Sequence, residues 1–389
     1  MGSYFKSNQR KLVSALAAAI FVVIVTGFCS VPKAFAKYSG GTGEPNEPYR
    51  IATPQDLNDI GNYEEDWDKH FVLVNDVNLA QYSGTQFKII GRWIPGYPNN
   101  KPFTGIFEGN DKIIWNFTWR TTNQWYIGLF RYVGNGSQIK NLALQNINVN
   151  ATTGQFVGGL VGYNKGTISN CHVTGNVLGN YWDFGGLVGL NYGTIRDCRS
   201  ACSVSGESNV GGLVATNSGG TITNCYSTGN VSGNGYVGGL VGWNDRHAEI
   251  TNCYSTGSVS GTSRVGGLVG ENYYGTITNC YATGSILGTS YVGGLAGGDG
   301  GVVVNSFWDT QTSGQLTSAG GIGKTTAEMK TMSTFTDAGW DFVDVWGVGE
   351  YQTYPYLKTT PAGDSNLDNI VDLADLAILA SHWLARQPF

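Results

Sequence analysis

Beyond residue 125 the apolar residues fall into short runs separated by Gly, Asn, Ser and Thr, and the runs recur in a fixed order. Runs too short for a helix read as strands, and the polar gaps between them read as corners. A Gly-Gly-Leu block returns with its leucine at Leu160, Leu187, Leu213, Leu240, Leu268 and Leu295, at spacings of 27, 26, 27, 28 and 27 residues. A second apolar column runs Ile168, Ile195, Ile222, Ile250, Ile277 and Val303. A third holds Cys171, Cys198, Cys225, Cys253 and Cys280 with Ser306 closing it, and a fourth holds Val177, Val204, Val231, Val259 and Ile286. One such unit cannot bury its apolar face alone. Units stacked in register can, because each strand then pairs with its copy in the next turn at a rise of about 4.8 Å. The pattern predicts an all-β chain: a parallel β-helix (β-solenoid) of 27-residue coils, about 30 Å long, with capped ends. Parallel crossovers favour a right-handed winding, so the expected β-helix is right-handed.

Two asparagine columns mark the corners. Asn164, Asn191, Asn217, Asn244 and Asn272 lie four residues past each leucine, with Asp299 completing the series; Asn170, Asn224, Asn252, Asn279 and Asn305 precede the cysteine column, with Asp197 as the exception. Asn tolerates left-handed backbone angles and bonds along a stack of identical amides, so both columns read as structural. The cysteines read as a ladder of free buried thiols, since in-register neighbours point the same way and cannot easily reach disulfide torsions. A bond from Cys198 to the off-column Cys202 is the alternative.

A solenoid needs covered ends. Thr53-Pro54 with Leu57 and Ile60 predicts a short capping helix, and Phe71 to Leu79, Phe87 to Ile90, Phe103 to Phe107 and Lys112 to Phe117 predict irregular first rungs. A Trp- and Tyr-rich segment with a helix over 327–335 closes the other end. The organisation expected is a signal peptide over 1–36, an N-terminal cap and first rungs over 37–124, the repeat solenoid over 125–310, a C-terminal cap over 311–358, a linker over 359–363 and a tail module over 364–389.

Composition supports strands and turns: 58 Gly, 10 Pro and 13% charged residues suit neither a helical bundle nor a disordered chain. The 23 basic and 28 acidic residues form no basic block, which argues against nucleic acid as a partner. Lys6, Arg10 and Lys11 precede an apolar run from Leu12 to Phe28, and Ala34-Phe35-Ala36 offers a signal-peptidase site, so the mature chain is expected to begin near Lys37, secreted or at the cell surface, with no membrane span left. An uncleaved anchor is the rival, since the run is almost long enough to cross a bilayer.

The Gly-Gly-Leu-Val-Gly blocks with their Ile-Thr-Asn-Cys-Tyr and Thr-Gly-Ser-Val partners resemble the GLUG-motif repeats of bacterial extracellular proteins over 125–310. Such repeats occur in surface and adhesin-like proteins and beside the catalytic part of some immunoglobulin-cleaving metallopeptidases; His70, His172, His247 and His382 form no H-E-x-x-H here. The tail from Gly363 to Asp375 resembles the calcium loop of a dockerin. That resemblance implies Ca2+ as cofactor, with side chains from Asp364, Asn366, Asp368 and Asp375, the carbonyl of Ile370, and Asp372 through water. Asn369 stands where the turn glycine is usual, and Leu376, Leu379 and Trp383 give the following helix an apolar face. One of a dockerin's two loop-helix halves is present, so a cohesin-like partner and a sorting partner both stay open.

For chemistry on the rod, the local cluster is Asp245, Arg246, His247 and Glu249, in a corner longer than its neighbours, and it reads as a solvated turn. Aromatics are the stronger lead. Tyr226, Tyr254, Tyr281 and Phe307 follow the cysteine column, after His172 and Arg199, and are expected to face outward as a stripe that binds sugar rings or packs on itself. Phe156, Asp183, Asn209, Tyr236, Arg264 and Tyr291 form a second column, four residues before each leucine. The function expected is a non-catalytic surface or secreted protein for adhesion or for binding carbohydrate or protein. The alternative is a polysaccharide-active lyase or glycoside hydrolase component, which needs carboxylates from neighbouring turns to converge in a groove.

Overall fold

The structure, a computed structural model, describes residues 37–358 apart from 95 and 97. The expected signal segment, the linker and the tail module lie outside the described residues, and so do the proposed calcium ligands from Asp364 to Asp375.

The repeats form a parallel β-solenoid of seven coils. One seven-stranded sheet takes a strand from each coil, Phe130–Val133, Val161–Asn164, Val188–Asn191, Val214–Ser218, Val241–Asp245, Val269–Tyr273 and Ala296–Asp299. A second takes Trp125–Ile127, Gln155–Gly158, Trp182–Gly185, Ser208–Gly211, Gly235–Gly238, Ser263–Gly266 and Ser290–Gly293. The remaining strands of each coil join the irregular first rungs in a 21-stranded sheet. Like meets like along the axis: Ile168 pairs with Ile195, then Ile222, Ile250, Ile277 and Val303. The leucine column and Ile168 to Ile277 are fully buried, each such side chain stabilising the rod by about 1.5–3 kcal/mol relative to exposure.

Two polar ladders run inside this apolar stack. Each asparagine amide of the first column donates Nδ2 to Oδ1 of the next coil, at 2.8, 2.8, 2.9, 2.9 and 2.8 Å from Asn164 through to Asp299. The second column performs the other task expected of asparagine: Asn170, Asp197, Asn224, Asn252, Asn279 and Asn305 all hold φ between 48° and 55°. The thiols are free and buried. The Cys171 amide donates to Sγ of Cys198 at 3.4 Å, the contact repeats up to Cys280, and the Cys280 amide ends the series on the Ser306 hydroxyl at 3.0 Å. Cys202 is unbonded as well, and burial pushes its thiol up to about 12.

The first end is closed by the helix Pro54–Asn62. Thr53 accepts from the Asp56 amide at 3.1 Å, Asp56 accepts in return from the Thr53 amide at 3.0 Å, and Leu57 and Ile60 are buried. At the other end the strand Phe307–Asp309 gains one more parallel partner, Ile322–Lys324. The single helix expected over 327–335 is instead a 3-10 turn, Glu328–Lys330, and a short helix, Met332–Thr336. Thr331 between them is extended, at φ −108° and ψ 123°, and breaks the run. From there to residue 357 the chain folds back along the outside of the coils.

Candidate binding site on the solenoid

That returning segment decides the fate of the first aromatic stripe. Tyr226, Tyr254 and Tyr281 stack face to face, with ring centroids 4.6 and 4.9 Å apart and planes within 8°. They do leave the coil on its outer side. Met329, Phe335, Trp340, Trp346 and Leu357 then pack over them and over Phe307 in one buried cluster. The Tyr281 hydroxyl donates to the Pro355 carbonyl at 2.6 Å. The expected sugar-facing stripe is thus corrected: these rings are the base of a second core, and a covered ring has no face to offer a ligand. The sequence showed the column but carried no sign of which later segment would cover it.

No described segment after the repeats covers the second outward column. Tyr126, Phe156, Asp183, Asn209, Tyr236, Arg264 and Tyr291 each occupy the left-handed region, with φ from 51° to 66°. Such angles cost a non-glycine residue about 1–2 kcal/mol. Close packing of the next coil holds them there: a Cβ on Gly189 would lie 2.3 Å from the Phe156 carbonyl carbon, and one on Gly270 would lie 2.4 Å from that of Tyr236. The last glycine of each Gly-Gly-Leu-Val-Gly block is therefore a readable mark of this face, and sequence reasoning passed over it. Beside the column stand Tyr132, Tyr163, Leu190, Thr216, Trp243 and Glu271 from the adjoining sheet.

Along the axis this face has three zones. Its first coils are aromatic: Tyr126 stacks on Phe156 at 4.9 Å, Tyr132 on Tyr163 at 4.9 Å, and Trp93 packs edge-on against Tyr126, Tyr132 and Tyr163. Its last coils are interlocked, with Tyr236 stacked on Trp243 and Arg264 over both Tyr236 and Tyr291 at 5.1 Å while its Nε meets Glu271 at 2.6 Å. Between them the side chains shrink to Leu190, Asn209 and Thr216, and a cleft of about 280 Å³ opens. Phe156 and Trp243 line it, and Trp182 and Tyr192, 47% and 37% exposed, stand at its margin.

Asp183 organises the bottom of the cleft. It is 2% exposed, and it accepts from Gln155 Nε2 at 2.9 Å, Asn209 Nδ2 at 2.9 Å and Thr216 Oγ1 at 2.6 Å. Burial pushes its carboxyl above the ordinary range, and the three donors pull the other way. Each amide spends one N–H on Asp183, and the Asn209 carbonyl oxygen accepts from the Ser208 hydroxyl at 3.5 Å, so the floor of the cleft is a hydrogen-bonded polar cluster.

The predicted cluster Asp245, Arg246, His247 and Glu249 is split. Asp245 and Arg246 line the cleft, whereas exposed Glu249 pairs with Thr221 and Thr276 in the large sheet. Arg246 and His247 are both left-handed, at φ 54° and 61°. Two carboxylates from different coils, Asp183 and Asp245, thus line one groove. Asp183, however, is engaged by internal donors, and Asp245 Oδ1 is buried. Among the described residues no three His, Cys, Asp or Glu side chains gather as a metal site, and no helix is long and apolar enough to cross a membrane.

Comparison with known proteins fits this geometry. The model of the GLUG motif matches residues 155–178, 206–232, 233–260 and 261–287. These coils are GLUG repeats. The cleft runs from Phe156 in the first matched segment to Trp243 in the third, and Asp183 lies in the coil between the first two matches. A candidate Gly-rich membrane protein of Evansella cellulosilytica is 34% identical over 164 residues, 41% of this chain and 18% of that relative. Halomucin of Haloquadratum walsbyi is 32% identical over 135 residues, 35% of this chain and 1% of its own length. The chain therefore spans under a fifth of the curated relatives it matches. Among solved structures, a candidate immunoglobulin A1 protease of Bacteroides ovatus superposes with a TM-score of 0.53 at 22% identity, covering 83% of this chain and 95% of that one. That likeness is one of fold.

Proposed function

We propose that this chain is a non-catalytic binding protein of the cell surface or secreted space, whose GLUG solenoid takes an extended glycan in the cleft between Phe156 and Trp243. The observation that carries this reading is the cleft itself, with exposed aromatic margins around a polar floor. Aromatic faces suit the apolar faces of sugar rings, and polar side chains suit their hydroxyls. The coil rise of about 4.8 Å is also close to the length of one pyranose unit, so successive coils can meet successive sugars. A glycan array probed with the mature chain, followed by affinity electrophoresis of Trp243→Ala, tests it. We expect a defined set of polysaccharides to bind and the variant to lose about tenfold in affinity; an array with no binder ends the proposal.

The hydrolase or lyase alternative is favoured by one observation, the shared groove of Asp183 and Asp245. Glycoside cleavage uses two carboxyl groups that both reach the bond, and Asp183 does not reach out. Polysaccharide cleavage by the wild-type chain that vanishes in Asp245→Ala would reverse this preference. In our reading the tail with Asp364, Asn366, Asp368, Ile370, Asp372 and Asp375 binds Ca2+ and docks or sorts the protein. A peptide over 361–389 whose circular dichroism does not change with calcium removes that part.

A further inference from the structure

Arg246 is the one cationic side chain lining the cleft. Its Nη1 donates to the Tyr192 hydroxyl at 3.0 Å, reaching back across two coils, and its Nε lies 3.8 Å from the Asp245 carboxylate. A guanidinium carries five N–H donors in a planar fork, and this one, 67% exposed at its side chain, keeps most of them for a ligand. Two polar atoms in the same wall, Trp243 Nε1 and Asp245 Oδ1, are buried without a protein partner. Buried polar atoms of this kind are usually completed by water or a bound molecule. The cleft is thus polarised: the buried Asp183 carboxylate with its polar partners lies on one side, and an exposed donor fork at Arg246 on the other.

Resting on the glycan reading above, we propose that the cleft selects polysaccharides built from carboxylate-bearing sugars, with the uronate group held by Arg246 and the neighbouring hydroxyls by the polar side chains around Asp183. Planar fork and planar carboxylate match in a bidentate pair, which a lysine does not reproduce. Asp245 does not occupy the site, because its nearest oxygen is 3.8 Å from Nε, beyond hydrogen-bond reach, and the hydrogen bond of the guanidinium is the one to Tyr192. The open, lengthwise shape of the cleft favours an acidic unit within a chain over a terminal one.

The test compares binding of the full mature chain to polygalacturonate, to the same polymer with its carboxyls methyl-esterified, to alginate and to polysialate, by affinity electrophoresis at two salt concentrations. The free acid should bind about tenfold more tightly than its ester, Arg246→Gln should erase that difference, and Arg246→Lys should restore only part of it. Trp182→Ala should weaken acid and ester alike. Equal binding of acid and ester, or a preference that survives Arg246→Gln, overturns the acidic-sugar proposal while leaving glycan binding intact. Preference for polysialate alone, whose carboxylates sit on anomeric carbons, overturns the uronate assignment. Binding to none of these polymers overturns the acidic-sugar proposal, and an empty glycan array then removes the underlying reading as well.

Discussion

Two aromatic columns climb this rod on its outer side, and they have opposite fates. Tyr226, Tyr254 and Tyr281 stack within 5 Å of one another and vanish beneath Trp340, Trp346 and Leu357. Phe156, Asp183, Asn209 and Tyr236 climb neighbouring coils with no described segment after the repeats folded over them, and a cleft remains at their centre. Both columns arise from one cause, the repetition of a coil whose outward positions line up. What separates them is a segment that enters the structure only after the last repeat. An aromatic ladder on a solenoid is therefore not by itself a binding face, and its role depends on whether later chain returns to it.

The contrast can be broken most strongly at the covered column. Tyr281→Ala should cost about 3–5 kcal/mol in chemical denaturation, as removal of a fully buried aromatic does, because the ring carries both the stack and the bond to Pro355. A small effect would mean that the returning segment is held elsewhere. Next comes the Asn ladder shared by both faces. Asn217→Ala removes the bonds to Asn191 and Asn244 and leaves buried amides unpaired, for an expected loss of about 2–4 kcal/mol by the same measurement.

A pH titration sharpens the comparison where the covered column runs out. His172 begins it, buried, with Nε2 lacking a partner and Arg199 beside it, and burial first and Arg199 second lower its pKa from 6.5 to about 3. The unfolded chain takes up this proton near 6.5 and the folded one only near 3, so the stability from a neutral His172 is present above 6.5 and is lost as pH falls between the two values. His172→Phe should flatten that limb of the stability profile, and an unchanged slope would refute the assignment. The smallest stability effect is expected at the open face: Trp182→Ala should stay within about 0.5 kcal/mol of wild type while glycan affinity falls.

Much of this was legible in the chain. The coil length and the four inward columns follow from residue spacing, because in-register stacking lets only one register bury Leu160, Ile168, Cys171 and Val177 together. The capping helix was legible through Thr53, Pro54 and Asp56, whose signals are local. The cleft was only half legible. Its column was seen, but nothing in it singled out Asp183, since its partners Gln155, Asn209 and Thr216 lie one coil away and 26 to 33 residues apart. The returning segment was read as a cap over the end of the rod, and it also covers the side.

What the sequence determined alone is the repeat: its period, its inward residues and its parallel stacking, all of which follow from identical units meeting along one axis. Only the tertiary structure decided which outward face stays open. That choice rests on where one non-repeating segment, 325–357, finds enough apolar surface to bury itself. A contact between distant, unlike segments leaves no period in the sequence by which it could be read.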